Sequence, residues 1–215
     1  MSEANEKEKW IEEILKTFDN DWESFRKNEA FDHVSSKFLS VLETGNEFYR
    51  AKEYKAAFTH YGEAVKIFEG KIPVNERFWF KMGLVYRTLG KSMLKEPSAD
   101  YKQPLGYQKA IACFQKAVEL NPAFKEGWIV LAFSYDKLSN FYHQKTLLKN
   151  QLPPSKIDNY FQNLIACLKN ELAGLERVIQ LDPNEKKIEF WRRTIKHRLG
   201  LFKELWGSEK NLDEN

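Results

Sequence analysis

Apolar residues recur every three or four positions along most of this 215-residue chain, which is the spacing of one face of an α-helix. Two such stripes flank the middle of the chain. They are Trp10, Ile14, Phe18, Trp22 and Phe25 in the first stripe, and Ile188, Trp191, Ile195, Leu199, Phe202 and Leu205 in the second. The pattern predicts an all-α protein.

Between these stripes, one pair of motifs occurs three times. The first motif sets a large apolar residue before a small residue and then an aromatic, as in Val41-x-x-Thr44-Gly45-x-x-Phe48, Trp79-x-x-Met82-Gly83-x-x-Tyr86 and Trp128-x-x-Leu131-Ala132-x-x-Tyr135. The second motif occurs as Ala57-x-x-x-Tyr61-x-x-Ala64, Ala110-x-x-x-Phe114-x-x-Ala117 and Glu171-x-x-x-Leu175-x-x-Val178. A repeated pair of helical motifs predicts stacked helical hairpins.

The paired motifs resemble the tetratricopeptide repeat, in which Trp, Leu-Gly and Tyr on one helix precede Ala, Phe and Pro on the next. The resemblance covers residues 38–185 and implies a right-handed superhelix of about three helix-turn-helix units. It assigns a structural role to the signature residues, which are Gly45, Phe48, Ala57, Tyr61, Ala64, Trp79, Gly83, Tyr86, Ala110, Phe114, Ala117, Pro122, Trp128, Ala132, Tyr135 and Pro183.

Packing explains the motif. Small residues such as Gly83 let two antiparallel helices cross closely, and large aromatic side chains fill the holes beside them. We therefore expect Trp79 and Trp128 to be buried. Asn121-Pro122 and Asp182-Pro183 are typical of an N-cap followed by proline in the first turn of the next helix.

The spacing between motifs predicts the division of the chain. Unit 1 covers residues 38–75, and unit 2 covers 76–124 with an inserted loop at 91–105, where Pro97 and Pro104 occur. Unit 3 covers 125–185 with both helices lengthened around the break at Pro153-Pro154. Residues 1–37 form an acidic amphipathic helix and linker, residues 186–207 a basic capping helix, and residues 208–215 a disordered tail.

The two flanks carry opposite charge. Residues 1–23 hold eight acidic and three basic side chains, whereas residues 186–206 hold seven basic and two acidic ones. The acidic helix either caps the array or docks into a groove or a partner. The C-terminal helix is expected to open at Asp182, with Glu185 placed for a capping box. Its basic residues form either the solvated face of a cap or a patch that binds an acidic partner or RNA. They are Arg192, Arg193, Lys196, Arg198 and Lys203.

The resemblance also implies a binding site, because tetratricopeptide arrays bind peptides or helices in a concave groove lined by the first helix of each unit. The positions that the family geometry turns into this groove are Glu43, Asn46, Tyr49, Arg50, Arg77, Phe80, Lys81, Leu84, Arg87, Ile129, Val130, Phe133 and Lys137. This basic and apolar mixture predicts an acidic protein segment with apolar anchors as the ligand. Alternatively, Phe80 and Phe133 pack against neighbouring helices.

One ligand class is not expected. The co-chaperone subfamily holds the carboxylate tail of heat-shock chaperones with Lys and Asn on the first helix, Asn on the second, and Lys and Arg on the third. The matching residues here are Leu42, Asn46, Lys81, Glu126 and Val130, and only Asn46 agrees. The chain is therefore not expected to bind that tail.

No residue pattern indicates catalysis, a metal site or a cofactor. His33, His60, His143 and His197 are scattered, and the chain has no Cys-x-x-Cys motif or glycine-rich phosphate loop. Cys113 and Cys167 are expected to be buried, reduced thiols. No stretch suits a signal peptide or a membrane span, so we expect a cytoplasmic protein that does not bind membranes.

Three functions are consistent with these features. The favoured one is a non-catalytic adaptor, or chaperone-like binder, of a protein segment. The second is a scaffold that self-associates through its aromatic-rich ends, for example as a homodimer. The third is an RNA-binding helical repeat, which the sequence disfavours because base-stacking aromatics do not alternate with the basic clusters.

Overall fold

The computed structural model describes residues 36–51, 53–68, 76–93, 102–148 and 150–213, and all regular elements in these ranges are α-helices. In chain order the helices are α1 Ser36–Arg50, α2 Tyr54–Phe68, α3 Glu76–Met93, α4 Lys102–Leu120, α5 Lys125–Thr146, α6 Pro154–Leu181 and α7 Lys186–Asp213. The predicted all-α fold is confirmed. The acidic segment at residues 1–35 lies outside the described residues.

Successive helices pair as antiparallel hairpins. In the α5–α6 pair, Lys125 meets Asp182 at one end with Nζ and Oδ2 2.9 Å apart, and Tyr142 meets Tyr160 near the other end with ring centroids 6.3 Å apart. Helix α4 runs antiparallel to α5 as well, because Gln115 donates a hydrogen bond to the Tyr135 hydroxyl and Gln108 donates one to Tyr142. Helix α5 thus lies between α4 and α6.

The small residues of the repeat motif lie where helices meet, as predicted. A Cβ atom placed on Gly83 of α3 would lie 2.6 Å from Cδ1 of Phe114 on α4, so the Phe114 ring rests directly on the glycine. In the third unit, a Cβ atom on Gly174 would lie 3.1 Å from the Cβ of Ala132. Close helix crossing therefore depends on residues with little or no side chain.

The two signature tryptophans are less buried than predicted. Trp79 and Trp128 are only partly buried, whereas Phe80, Phe114 and Phe133 are fully buried. The reason is visible at Trp128, whose indole N–H donates to the carbonyl oxygen of Pro122 at 3.0 Å. This bond holds the ring at the turn before α5, where part of it stays in contact with solvent.

The predicted N-caps at Asn121 and Asp182 are wrong. The amide of Ala123 donates to Oδ1 of Asn121, and the amide of Asn184 donates to Oδ1 of Asp182. Both side chains therefore close Asx turns on their own backbone two residues later. The helices begin at Lys125 and Lys186, so Glu185 precedes α7 and forms no capping box that opens at Asp182.

The third unit has the lengthened helices that the motif spacing predicts. Helix α5 has 22 residues and α6 has 28. Pro154 opens α6, where its fixed φ suits the first turn and its missing N–H costs no hydrogen bond. Glu171, Leu175 and Val178 are all buried, so the second motif packs inward even where its alanine is replaced by glutamate.

Two predicted boundaries differ from the structure. Helix α3 continues to Met93 and α4 begins at Lys102, so the helices extend into the region predicted as a loop at 91–105. Pro104 lies in the first turn of α4, where proline is tolerated. Helix α7 continues to Asp213, beyond the boundary at 207 and into the predicted tail.

Candidate functional site

The predicted groove begins on α1. Glu43 and Arg50 are exposed there, and Asn46 is half-buried. The side chains of Tyr49, of Lys81 on α3, and of the signature residue Tyr61 lie outside the described set. On this helix the structure leaves an acidic and a basic side chain open to solvent.

The predicted groove residues on α3 are mostly interior. Phe80 is fully buried, with its ring centroid 5.5 Å from that of Phe114 and 4.9 Å from that of Phe124. Leu84 and Arg87 are also buried, and Arg77 is half-buried. Phe80, Leu84 and Arg87 are therefore covered by neighbouring elements, whereas Arg77 keeps part of its side chain at the surface.

The apolar groove residues on α5 are buried too. Ile129, Val130 and Phe133 are at most 1% exposed, while Lys137 is half-buried. Helix α7 covers Phe133, because Trp191 packs edge-on against it with ring centroids 4.9 Å apart. Phe80 and Phe133 therefore pack against other helices, which was the alternative to lining a groove.

A buried ion pair joins α5 to α7. Nη1 of Arg198 donates to Oδ1 of Asp136 at 3.1 Å, and Nη2 donates to Oδ1 of Asn140 at 3.1 Å. The Asp136 side chain is 7% exposed and that of Arg198 is 22% exposed. The interpretation of Arg198 as part of a solvated face is therefore wrong, because its side chain connects α7 to α5.

His143 lies beside this pair. Its ring packs edge-on against Phe202 of α7, with centroids 4.8 Å apart. Partial burial, and to a smaller extent the positive charge of Arg198, lower the pKa of His143 below its usual value. Protonating this imidazole therefore opposes the packing of α7 on α5.

This geometry predicts a pH dependence of stability. Because the folded-state pKa of His143 is below that of the unfolded chain, its stabilising effect is complete above about pH 6.5 and is lost as the pH falls through the lower folded value. The urea midpoint of the wild type should drop more between neutral and mildly acidic pH than that of His143→Gln. Equal drops in the two proteins would show that His143 does not contribute.

The outer face of α7 carries an exposed apolar stripe. Phe190 is 58% exposed, Leu201 46% and Leu205 53%. Phe190 and Leu201 are eleven residues apart, which is three helical turns, and Leu205 follows one turn later. Thr194 and His197 fall on the same line between them, and we call these five residues the α7 stripe. The opposite face, with Ile188, Trp191 and Ile195, is buried in the core.

The basic side chains of α7 are partly neutralised. Arg192 and Arg193 both pair with Glu189 of the same helix. Lys196 pairs with Glu176 of α6 at 3.4 Å, and Arg198 pairs with Asp136 of α5. Residues 186–206 alone carry a net charge of +5, and together with Glu176 and Asp136 the net charge of the group is +3. The stripe therefore lies on a helix that remains basic, with Lys186 and Lys203 exposed along it.

The described residues show no arrangement that suits metal binding or thiol chemistry. In these ranges, no group of three or more His, Cys, Asp or Glu side chains is placed to hold a metal ion. Cys113 and Cys167 are buried free thiols, and burial raises the pKa of each to about 12. The predicted burial of both thiols is confirmed, and both remain protonated at neutral pH.

None of the helices within the described ranges is both long enough and apolar enough to span a membrane. The apolar residues of α7 illustrate why: they are divided between a buried face and the α7 stripe, with charged residues between the two.

The chain is similar to a known repeat protein. No family model matches the chain. The chain is 26% identical over 163 residues to the tetratricopeptide repeat domain-containing protein PYG7, chloroplastic, of Arabidopsis thaliana. The match covers 76% of this chain and 40% of that protein, so the chain spans well under half of the relative's length.

Two solved structures are similar at low identity. One is the Arabidopsis OM64 TPR domain, 14% identical with a TM-score of 0.40, covering 74% of this chain and 94% of that one. The other is the first TPR of Spaghetti (RPAP3) bound to HSP90 peptide SRMEEVD, 16% identical with a TM-score of 0.39, covering 77% and 98%. The all-helical hairpin fold of the present chain is shown by its own helices.

Proposed function

We propose that this chain, whose resemblance to the tetratricopeptide repeat family is confirmed, is a non-catalytic adaptor that binds an acidic, amphipathic segment of another protein on the α7 stripe. Tetratricopeptide arrays are interaction modules in general. The observation that carries the proposal is the stripe itself, which exposes Phe190, Leu201 and Leu205 in one line on a basic helix.

The α7 stripe has the accessible apolar residues beside basic side chains that were expected in the predicted groove. The sequence predicts an acidic segment with apolar anchors as the ligand, but the groove residues Phe80, Ile129, Val130 and Phe133 are buried and cannot meet those anchors. On α7 the apolar residues remain accessible, and Lys186 and Lys203 provide charge beside them. An amphipathic helix with acidic flanks matches such a surface in both spacing and charge.

Nucleic acid fits this surface less well. Binding to single-stranded RNA relies on several aromatic side chains that stack on successive bases. The α7 stripe has one exposed benzene ring, Phe190, while its other large apolar members are leucines. Leucine offers no stacking face, so a protein helix remains the proposed ligand. The chain is also proposed to act in the cytoplasm, without a metal or cofactor and without binding the carboxylate tail of chaperones.

A matched pair of leucine substitutions tests the proposal. Leu201→Glu places a negative charge in the stripe, whereas Leu147→Glu places one at the tip of the α5–α6 hairpin, where Leu147 is 69% exposed. Mass spectrometry identifies proteins that the wild type and Leu147→Glu capture from an extract but Leu201→Glu does not. Calorimetry with such a partner after purification should show that it binds Leu201→Glu at least tenfold more weakly than the wild type.

Two results would contradict this assignment. If Leu201→Glu keeps every partner of the wild type, the stripe is not the binding surface. If binding instead falls when the exposed Arg50 of α1 is changed to glutamate, the site is the originally predicted groove across the first helices. Unchanged helical content and melting curves in all variants ensure that the losses report on binding.

A further inference from the structure

The chain itself contains a segment that matches the ligand proposed above. Residues 10–25 carry Trp10, Ile14, Phe18, Trp22 and Phe25 at helical spacing. The same sixteen residues hold five acidic side chains and one basic side chain, a net charge of −4. The segment therefore combines acidic charge with an apolar stripe.

The two stripes also match in length. Trp10 and Phe25 are fifteen residues apart, and so are Phe190 and Leu205. In helical conformation each stripe is about 22 Å long, at about 1.5 Å per residue. A helix formed by residues 10–25 would thus cover the α7 stripe along its full length, with opposite charge on the two partners.

We propose that residues 10–25 of one molecule dock on the α7 stripe of a second copy, so that the chain self-associates head to tail. This inference rests on the proposed function, since it names one occupant of the same surface. The contact is heterologous: it joins two different surfaces, leaves one of each unused in a dimer, and therefore allows longer chains or closed rings.

Charge argues against the symmetric alternative, in which two copies of α7 pair with each other. Residues 186–206 keep a net charge of +3 after the contacts of Lys196 with Glu176 and of Arg198 with Asp136 are counted. Two such helices side by side repel each other. An acidic segment removes this repulsion and covers the same apolar residues.

Chain length restricts docking within one molecule. The segment precedes α1, and two other first helices, α3 and α5, separate α1 from α7 in chain order. Three steps between packed helices amount to about 24–30 Å at about 8–10 Å each. The ten residues 26–35 reach at most about 33–36 Å when fully extended. Docking within one molecule would thus need the linker extended over most of its maximum reach, whereas a second copy faces no such limit.

The first experiment measures the mass of the full-length chain by size-exclusion chromatography with light scattering, from low to high micromolar concentration. The wild type should rise from monomer towards dimer and larger species. A stripe variant, Leu201→Glu, should stay monomeric, and so should a segment variant with Glu12→Lys, Glu13→Lys and Asp19→Lys. The tip variant Leu147→Glu should behave like the wild type.

Mixing the two monomeric variants gives the sharpest test. The segment variant still has an intact α7 stripe, and the stripe variant still has an intact acidic segment. The mixture should therefore form a dimer containing one copy of each and grow no further, because the remaining two surfaces are the damaged ones. A segment variant that self-associates like the wild type would overturn the proposal in favour of α7–α7 pairing.

A labelled peptide of residues 6–28 separates the remaining outcomes by fluorescence anisotropy. Binding to the wild type that is lost with Leu201→Glu supports docking from another copy. A wild type that stays monomeric and binds the peptide only after the segment charges are reversed overturns it, since the segment then covers its own α7. If no variant binds the peptide and the wild type stays monomeric, the inference is wrong, while foreign partners lost with Leu201→Glu would still support the proposed function.

Discussion

Replacing Phe114 with alanine is expected to lower the free energy of unfolding by about 3–5 kcal/mol, one of the largest effects available in this chain. The ring is fully buried, packs against Phe80 and rests directly on Gly83 of α3. Its removal leaves a cavity at the crossing of α3 and α4 that their backbones cannot close without shifting. Urea unfolding followed by circular dichroism measures the change.

A second substitution at the same contact makes the test specific. Gly83→Ala should destabilise the wild type, because the new methyl group would lie 2.6 Å from Cδ1 of Phe114. In a Phe114→Ala background the same methyl group enters the cavity, so its cost should largely disappear. Additive effects of the two substitutions would show that the two residues do not meet. Trp128→Ala should cost less than Phe114→Ala, since Trp128 is only partly buried.

The repeat motif was predictable because its cause is local to each helical hairpin. Small residues such as Gly83 and Ala132 alternate with large ones at fixed spacing, and close crossing of neighbouring helices demands that alternation. For the same reason the lengthened third unit could be predicted from motif spacing and from Pro153-Pro154. The structure confirms both features.

The turn residues were harder to predict because one side chain can close two different structures. Asn121 and Asp182 suit a helix N-cap and an Asx turn equally well, and each is followed by proline. The choice depends on where the next helix starts to pack. The structure shows an Asx turn in both places, and the side chain that closes it lies four residues before the helix that begins at Lys125 or Lys186.

The candidate surface could not be predicted because it depends on how α7 packs against α5, which decides the apolar residues that are covered. Family geometry turned Ile129, Val130 and Phe133 towards a groove, but Trp191 of α7 packs against Phe133. The apolar surface left open is instead on α7, where Phe190 and Leu201 lie off the buried stripe. The sequence did contain one indication of this surface, namely that Phe190 and Leu201 are apolar residues outside the helical spacing of the buried stripe.

The ion pair between α5 and α7 had an even weaker signal, since its two residues are 62 positions apart. Asp136 falls within a helix whose neighbours are mostly apolar, and a carboxylate in such surroundings requires a cationic partner. The sequence offered many candidate cations, and only the packing of α7 identifies Arg198 among them. Breaking this pair is the second substitution with a large expected effect.

Arg198→Ala is expected to lower the free energy of unfolding by about 3 kcal/mol, the lower end of the range for breaking a buried ion pair, because Arg198 keeps some exposure. The loss arises mainly from Asp136, whose side chain is 7% exposed and would be left without its guanidinium partner in a poorly hydrated site. Asp136→Leu should also destabilise the protein, since it leaves the guanidinium against Asn140 without its carboxylate.

The double variant Asp136→Leu with Arg198→Leu should recover much of that loss, because it removes both charges and leaves apolar groups where α5 meets α7. Lys196→Ala is the matched control, since its pair with Glu176 is half exposed on both sides and should contribute little. Denaturant unfolding of the wild type, Asp136→Leu, Arg198→Leu and the double variant gives the coupling between Asp136 and Arg198. Losses that simply add would mean that the ion pair does not hold α7 on the array, and that the aromatic contact of Trp191 with Phe133 does so instead.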